Sequence, residues 1–249
     1  MKALNLRQGL EKQEGVEKLH FELASDVRLG ILHELQSNRL KMQEVARRLD
    51  LTATEAVRQL KRLSDALLVE RQPEGSYAVT EYGKLVLQLS SSLDFLYAHR
   101  RYFLTHDVWR IPRQFVDRLG DLSQTTLKAD TMESISAAER MMGEAKQYVW
   151  GVGEGRFTEA TGRVGADQAS RGIEGKFLTP LPPSRSQSFE NRTLSDIPVI
   201  VTLTERETQV CFRLVEGRMD YAGFFGKDPA SLNWVRDLFL YYWDKGKRM

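Results

Sequence analysis

The sequence predicts an α+β winged helix-turn-helix domain in residues 1–90, a helical connector in residues 91–122 and an α/β domain in residues 123–249. Three observations lead to this fold class. Apolar residues recur at helical spacing in three short segments before residue 66. Two β-rich runs separated by a proline and a glycine follow them, as in a hairpin. Beyond residue 122 the pattern alternates between helices and strands, and 249 residues suffice for two domains.

The first two helices are predicted from caps and apolar spacing. Ser25 or Asp26 can cap a helix whose apolar residues fall four apart and so share one face. A second helix follows over residues 42–49, where apolar positions repeat at intervals of three and four. Asp50 and Leu51 form the turn after it. This order of helix, turn and helix leads directly to a third helix.

The third helix has the clearest start signal of the three. Thr52, with Glu55 three residues later, has the pattern of a capping box, which satisfies free backbone N–H groups at a helix start. The apolar residues of this helix fall on one inner face, and its outer face is polar and basic. The outward residues are Thr54, Val57, Arg58, Lys61 and Arg62.

A hairpin is predicted directly after the third helix. The runs 68–71 and 77–80 are β-rich, and Pro73 and Gly75 between them are turn residues. We expect the tip of this wing to touch the backbone or the minor groove of DNA beside the third helix. The residues expected there are Arg71, Gln72, Ser76 and Tyr77.

Local charge indicates nucleic acid as the partner of this domain. The whole chain has a net charge of only +2, whereas residues 39–62 carry +4. Arg58 has the reach and the two donors to contact a guanine, while Thr52, Thr54 and Val57 are placed to meet base edges or backbone. Lys61 and Arg62, further along the helix, are expected phosphate contacts. The sequence therefore predicts double-stranded DNA as the partner.

The sequence also argues against a membrane-spanning or a secreted protein. No apolar run approaches the length of a membrane span, and the first residues lack the pattern of a secretory signal, so we expect a cytoplasmic protein with no membrane partner. Cys211 is the only cysteine, and it lies in an apolar alternating run, where it is expected to be a small core residue. We expect no catalytic residues, no metal site and no cofactor.

The connector begins with a long helix. Thr80 can cap it, and apolar residues continue at helical spacing from Leu85 to Tyr97. Such a helix can form the interface of a homodimer, or it can pack on its own second domain. The sequence leaves both open.

The pattern of the second half predicts an α/β domain. Five strands are predicted, at residues 148–152, 175–178, 197–203, 209–215 and 221–225. A helix with an apolar stripe precedes the first of them. A closing helix starts with Asp228 as its cap and Pro229 in its first turn.

A glycine-rich segment follows the first of these strands. Gly151, Gly153 and Gly155 invite a phosphate-binding interpretation, because backbone N–H groups there can meet an anion. The spacing is not that of a dinucleotide fingerprint, so a plain turn is favoured. Gly151, Gly153 and the nearby Arg156 remain the candidate ligand contacts of this domain, because open α/β sheets bind ligands at strand ends.

Two resemblances add to these predictions. LTATEAVRQLKRL at residues 51–63, LLVER at 67–71 and YAVTEYGK at 77–84 resemble the recognition helix, wing and next helix of ArsR- and MarR-like winged-helix regulators. This resemblance implies promoter binding, usually as a homodimer. Leu67 departs from the pattern, because a glycine often precedes the wing. The metal-sensing cysteine pairs of some such regulators have no counterpart here.

The second resemblance spans nearly the whole chain. The segments 102–122, AKQYVWGV at 145–152 and WVRDLFLYYW at 234–243 resemble archaeal winged-helix regulators linked to control of methanogenesis. The resemblance implies a sensor domain distantly similar to the phospholipase D fold, without its chemistry. None of the four histidines is followed two residues later by lysine, so the histidine pair of a phosphodiesterase is not available.

The leading hypothesis is a DNA-binding transcriptional regulator, a homodimer that responds to a small-molecule effector through its second domain. One alternative is an enzyme that acts on a small phosphate-containing substrate and uses the winged helix as an interaction module. That alternative lacks a cluster of histidine, acid and nucleophile in the second half. Another is an architectural or RNA-binding protein, which would bind without sequence preference.

Overall fold

The chain forms two units. A computed structural model describes residues 15–154, 159–181 and 189–248. Contacts between Cα atoms divide the chain into Met1–Leu89 and Ser90–Met249. The predicted Arg156 and Gly155 lie outside the described residues.

The first unit is a set of small helices with a three-stranded sheet. Its elements are α1 (Val16–Leu23), α2 (Asp26–Ser37), β1 (Leu40–Lys41), α3 (Met42–Arg48), α4 (Ala53–Asp65), β2 (Val69–Arg71) and β3 (Ser76–Val79). The three helices and the hairpin predicted from the sequence are α2, α3, α4 and β2–β3. Pattern reasoning missed α1 and β1. The sheet is antiparallel with β3 in its centre.

Local signals explain the helix boundaries of this unit. The Ser25 hydroxyl accepts from the Arg28 amide at the start of α2. Asp50, between α3 and α4, has a φ of +50°, a left-handed conformation that Asp tolerates better than most residues. One apolar core holds the helices to the sheet. Its members include Ile31, Leu32, Val45, Leu60, Leu63, Leu68 and Val79.

The second unit begins within α5 (Glu81–Ala98), in which the division of the chain falls. Short elements follow, namely α6 (Arg100–Phe103), β4 (His106–Asp107), α7 (Arg113–Val116), a 3-10 turn (Leu119–Leu122) and β5 (Thr126–Lys128). The rest alternates as α8 (Thr131–Glu144), β6 (Tyr148–Val152), α9 (Glu159–Ser170), β7 (Glu174–Thr179), β8 (Glu190–Thr193), β9 (Val199–Thr204), β10 (Thr208–Leu214), β11 (Gly223–Gly226), α10 (Pro229–Lys245) and β12 (Lys247–Arg248).

A mixed sheet forms the centre of the second unit. Its order within the described residues is β12-β8-β7-β6-β9-β10-β11-β5, and β4 pairs with β10 outside this path. The β6, β7 and β8 strands are parallel, and the other pairs are antiparallel. All five predicted strands are present as β6, β7, β9, β10 and β11. The very short β5, β8 and β12 were not predicted.

Helices pack on both faces of this sheet. Neighbouring residues of β7 point to opposite sides, so Phe177 joins a cluster with α8 and α9, and Leu178 joins the main core with α10. Trp150 stacks on Phe239 of α10 with ring centroids 5.1 Å apart. The Asp228 carboxylate accepts from two amides of the first turn of α10, as the sequence predicted. The unit is thus a three-layer α/β structure.

The segment 91–122, expected as a helical connector, belongs to the second unit in the structure. Seven of its apolar side chains belong to the main core of that unit, namely Phe95, Tyr102, Val108, Ile111, Phe115, Leu119 and Leu122. Phe95, Phe115 and Leu122 are nearly inaccessible to solvent. His106 of β4 stacks on Tyr102 and lies 3.1 Å from the Asp220 carboxylate. The segment is part of the second unit because its buried apolar residues pack against residues of the sheet and of α10.

Across the described residues, no helix combines the length and the apolar character needed to cross a bilayer.

Candidate functional site

The outer face of α4 is a solvent-exposed surface at the start of the helix. The Thr52 hydroxyl accepts from the Glu55 amide at 3.2 Å, which satisfies one free N–H group there. Thr52 and Thr54 are exposed, and Val57 is 52% exposed. The Thr52 half of the predicted capping box forms, whereas the Glu55 carboxylate contacts the Arg58 guanidinium.

Two cations project from the same face. The Arg58 side chain is 67% exposed, and its one ion pair with another described residue, to Glu55, is long at 3.4 Å. An ion pair on the surface contributes little to stability, so Arg58 can readily exchange Glu55 for another anion. Lys61 is exposed and makes no ion pair with another described residue. Both side chains are therefore available to an external anion.

Arg62 does not point outward as the sequence predicted. Its guanidinium donates two hydrogen bonds to the Glu22 carboxylate, at 2.6 and 3.1 Å. These hydrogen bonds raise the pKa of Arg62 above its usual value. Because Glu22 belongs to α1, which the sequence analysis did not find, this partner was not foreseen. In the structure Arg62 ties α4 to α1.

Arg28 completes this cluster from α2. Its guanidinium donates to the carbonyls of Phe21 and Glu22 at the end of α1 and to the Gln59 side chain in α4. Burial lowers the pKa of Arg28 below its usual value, and the nearby Glu22 carboxylate opposes that effect. An arginine in the first turn of a helix is ordinarily expected on the surface, so no sequence signal indicated this role.

Leu67 shapes the passage from α4 to the hairpin. The Leu68 amide donates to the Leu63 carbonyl and the Leu67 amide donates to the Ser64 carbonyl, which together form a Schellman motif. Leu67 occupies the left-handed position of this motif, with a φ of +60°. Glycine is the usual residue there. Leu67, which stands where a glycine often precedes the wing, therefore has a strained backbone conformation.

The hairpin has a tight turn and an exposed tip. The Gln72 amide donates to the Ser76 carbonyl at 2.7 Å, and Gly75 has a φ of +87°, which suits glycine. Arg71 is exposed, whereas Gln72 and Tyr77 are partly buried. Ser76, predicted at the tip, is buried, and its hydroxyl donates to the Glu74 carboxylate. Ser76 is buried because the unpredicted β1 pairs with β3 at this position.

The predicted contact residues differ in their exposure to solvent: Ser76 is buried, and Arg62, Gln72 and Tyr77 are partly buried. Those exposed to solvent are Thr52, Thr54, Val57, Arg58, Lys61 and Arg71. Arg39 and Lys41, beside the hairpin, are two further exposed cations. Both lie in the basic window that the charge analysis found, and that window was the signal available for them.

The second unit contains a cavity of about 310 Å³. It lies between α8 and the sheet and reaches the carboxyl ends of the parallel strands β6 and β7. Ile135, Ala138 and Met142 line it from α8, and Gly151 and Gly153 line it from the end of β6. The structure thus places two of the three candidate ligand contacts in one cavity wall. The third, Arg156, is not described.

The polar groups at the base of this cavity form a connected chain. The Thr202 hydroxyl donates to the Gln209 side-chain oxygen at 3.1 Å, and the Gln209 amide donates to the Ser134 hydroxyl at 3.2 Å. The Ser134 hydroxyl donates to the Tyr221 carbonyl. Cys211 is buried next to Gln209, as a small core residue, and burial raises the pKa of its thiol.

Comparison with known proteins gives one family match. The family model described as the HVO_A0261 N-terminal domain matches residues 16–100, roughly a third of the chain. These residues cover the first unit from α1 onward and the whole of α5. No curated protein sequence matches the chain.

Solved structures give remote similarities. TrmBL2, an archaeal chromatin protein, is 14% identical over 94% of this chain and 97% of that one, with a TM-score of 0.41. NcsB1, an O-methyltransferase from neocarzinostatin biosynthesis, is 16% identical over 70% of this chain and 60% of that one, with a TM-score of 0.25. TM-scores this low do not establish a shared fold.

Proposed function

We propose that this chain is a DNA-binding transcriptional regulator whose first unit is a winged helix-turn-helix. The order of α2, β1, α3, α4 and the β2–β3 hairpin is that of this fold. The observation that carries the proposal is the outer face of α4, where Arg58 and Lys61 project into solvent at the side of a helix that follows a tight turn. A helix of this kind fits the major groove, with the hairpin beside it.

Contacts to DNA divide into two kinds. Arg58, with Thr54 and Val57 on the same face, reads base edges, because its guanidinium can donate two hydrogen bonds to guanine. Lys61 and Arg71 contact phosphates, and Arg39 and Lys41 extend the positive surface beside the hairpin. Arg62 supports this face through Glu22 and is not one of the contacts that the proposal needs.

The regulator acts as a homodimer in this proposal. Tyr82, Leu85 and Leu89 are exposed on one face of α5, at intervals of three and four residues, and Leu93 and Tyr97 continue the row. Rows of large exposed apolar residues are a feature of association surfaces. Pairing of two α5 helices would bury this row and present two α4 helices to paired half-sites.

The second unit provides the response to an effector. Its cavity lies at the carboxyl ends of parallel strands, where open α/β sheets bind small molecules. An effector regulates DNA binding only if it binds more tightly to one state of the dimer than to the other.

The deciding experiment measures binding of the full chain to DNA from the region upstream of its own gene. In fluorescence anisotropy, Arg58→Ala should weaken specific binding by about 1–3 kcal/mol. Lys61→Ala should lower the slope of log affinity against log salt by about one. Arg113→Ala removes an arginine of the second unit that is also exposed and also paired with a carboxylate on its own helix; it serves as the control and should leave both quantities unchanged.

Two outcomes would contradict the proposal. Unchanged affinity in Arg58→Ala would remove α4 as the reading helix. Equal affinity for the upstream DNA and for unrelated DNA of the same length would indicate an architectural protein instead of a specific regulator.

A further inference from the structure

Glu55 places a carboxylate beside Arg58 in the first turn of α4. Its Oε1 atom lies 3.4 Å from a guanidinium nitrogen of Arg58, and its side chain is 36% exposed. Among the described residues, Arg58 is the cation with which Glu55 forms an ion pair, because Arg62 is bound to Glu22. Residues near the start of a recognition helix are those that contact base edges. A helix that brings Arg58 into the major groove therefore brings the Glu55 carboxylate with it.

A carboxylate in the major groove needs a hydrogen-bond donor. An ionised carboxylate accepts hydrogen bonds and donates none, and the DNA backbone beside it is negatively charged. Base edges in this groove offer two donors, the N4 amino group of cytosine and the N6 amino group of adenine. In adenine the N7 acceptor lies next to the amino group and opposes the second oxygen of the carboxylate. Cytosine is therefore the base that a glutamate binds best, and guanine and thymine are rejected.

Arg58 has enough donors to contact a base and Glu55 together. A guanidinium carries five N–H donors, of which two reach O6 and N7 of guanine. The pair with Glu55 is weak in water, and it becomes stronger in the groove because DNA displaces water and lowers the local dielectric constant. Glu55 then holds the guanidinium toward the base edges and away from the phosphates.

The surroundings of Glu55 offset the cost of bringing a carboxylate to DNA. Residues 52–62 contain one acidic and three basic side chains, which gives this stretch a net charge of +2. Lys61, one of the three, is exposed on the same helix. The long-range attraction of this helix for DNA therefore remains positive in sign, and Glu55 acts only at short range, where it distinguishes one base from another.

We propose that Glu55 is a specificity-determining residue: Arg58 binds a guanine, and Glu55 accepts from the N4 amino group of a cytosine in the neighbouring base pair. Side chains three residues apart on a helix are separated by about 5–6 Å, and stacked base pairs by about 3.4 Å, so the two contacts fall on neighbouring pairs. Each half-site then contains two adjacent G·C pairs. The inference rests on the proposed function, because it names the DNA that α4 recognises.

The first test selects binding sites for the full chain from a library of DNA duplexes with a randomised central segment. The selected sequences should share two adjacent G·C pairs in each half-site. A consensus whose half-sites lack two adjacent G·C pairs would overturn the proposal and leave the proposed function standing. Selection of no consensus at all would overturn both, since it would indicate binding without sequence preference.

Single base changes in the selected duplex assign each contact by fluorescence anisotropy. Changing the cytosine to thymine should weaken binding of the wild type by about tenfold or more. Glu55→Gln should bind both duplexes within about twofold, because an amide can accept from cytosine and donate to thymine. Replacing the guanine with 7-deazaguanine, which lacks the N7 acceptor, should weaken binding of the wild type and have no effect on Arg58→Ala.

Glu44→Gln is the matched control. Glu44 occupies the third position of α3, as Glu55 does in α4, and its carboxylate accepts from the Lys41 amide at 2.9 Å. The variant removes the same charge from the same kind of helix position and should keep the full discrimination between cytosine and thymine. Circular dichroism verifies that both variants are folded. Equal loss of discrimination in the two variants would overturn the assignment to Glu55.

Failure of this inference and failure of the proposed function give different results. Loss of discrimination at one base pair in Glu55→Gln, with the other base pairs read as before, supports the proposal. If Glu55→Gln keeps the wild-type discrimination, or binds every duplex more tightly by the same factor, the carboxylate reads no base and the proposal is overturned. The proposed function stands in that case, provided that Arg58→Ala loses the preference for guanine.

Discussion

The guanidinium of Arg62 is held by the carboxylate of Glu22 through two hydrogen bonds of 2.6 and 3.1 Å, although the two residues lie 40 positions apart. The same carboxylate lies 2.9 Å from the buried guanidinium of Arg28. One acidic side chain on α1 thus neutralises two arginines and fixes the helix that carries the proposed DNA-reading face.

Glu22→Gln should destabilise the first unit by about 1.5–3 kcal/mol, since it weakens charge-assisted hydrogen bonds and leaves a buried guanidinium without its anion. Hydrogen exchange of the α4 amides measures the loss. The control is Glu34→Gln, whose carboxylate pairs with exposed Arg48 at 2.8 Å and should cost at most about 1 kcal/mol. Equal losses in the two variants would show that Glu22 has no special structural role.

Leu67→Gly should stabilise the first unit by about 0.5–1 kcal/mol. The left-handed conformation costs leucine about 1–2 kcal/mol, and the greater freedom of glycine in the unfolded chain offsets part of the gain. Little packing is lost, because Leu67 is 69% exposed. A urea titration followed by circular dichroism measures the change. Leu67→Ala keeps the strain and should give no gain, so an equal gain there would refute the explanation.

His99 should make the second unit sensitive to acid. Its ring packs against those of Phe95 and Phe224, each with its centroid 5.0 Å away, and burial lowers the pKa of His99 below its ordinary value of 6.5. Since the unfolded chain then takes up a proton more readily, the stabilising contribution is present above about pH 6.5 and is lost as pH falls through the folded pKa.

The measurement for His99 is denaturation followed by tryptophan fluorescence at pH 7.5 and 5. His99→Phe should show a smaller loss of unfolding free energy between the two pH values than the wild type does. His33→Phe, an exposed histidine of the first unit, should behave as the wild type. An unchanged pH dependence in His99→Phe would exclude this histidine as the cause.

Leu89→Glu should convert the proposed dimer to a monomer. Leu89 is 75% exposed in the centre of the apolar row of α5, and a carboxylate there would have to be buried in the paired state. Sedimentation velocity measures the change. Gln88→Glu adds the same charge to the same helix outside the row and should leave the dimer intact. A monomeric wild type would refute the proposed pairing.

Periodicity within short stretches of sequence was enough to predict α2, α3 and α4, the hairpin, five strands of the second sheet and the cap of α10. These features depend on consecutive residues, whose spacing alone places side chains on one face of a helix or strand. The same window of sequence contained the exposed cations Arg58 and Lys61, since an outward position in an amphipathic helix is a local property.

Tertiary structure alone decided which polar residues are buried and which short segments pair. Ser76 is buried by the pairing of β1 with β3, and Arg62 is held by Glu22 of α1 and is only partly exposed. The two- to four-residue strands β5, β8 and β12 each pair with a longer strand. The cavity likewise joins residues of α8, β6, β7 and β9 that are as much as 67 positions apart, from Ile135 to Thr202. No local sequence pattern predicts such contacts, because they stabilise the fold only when distant segments of the chain pack together.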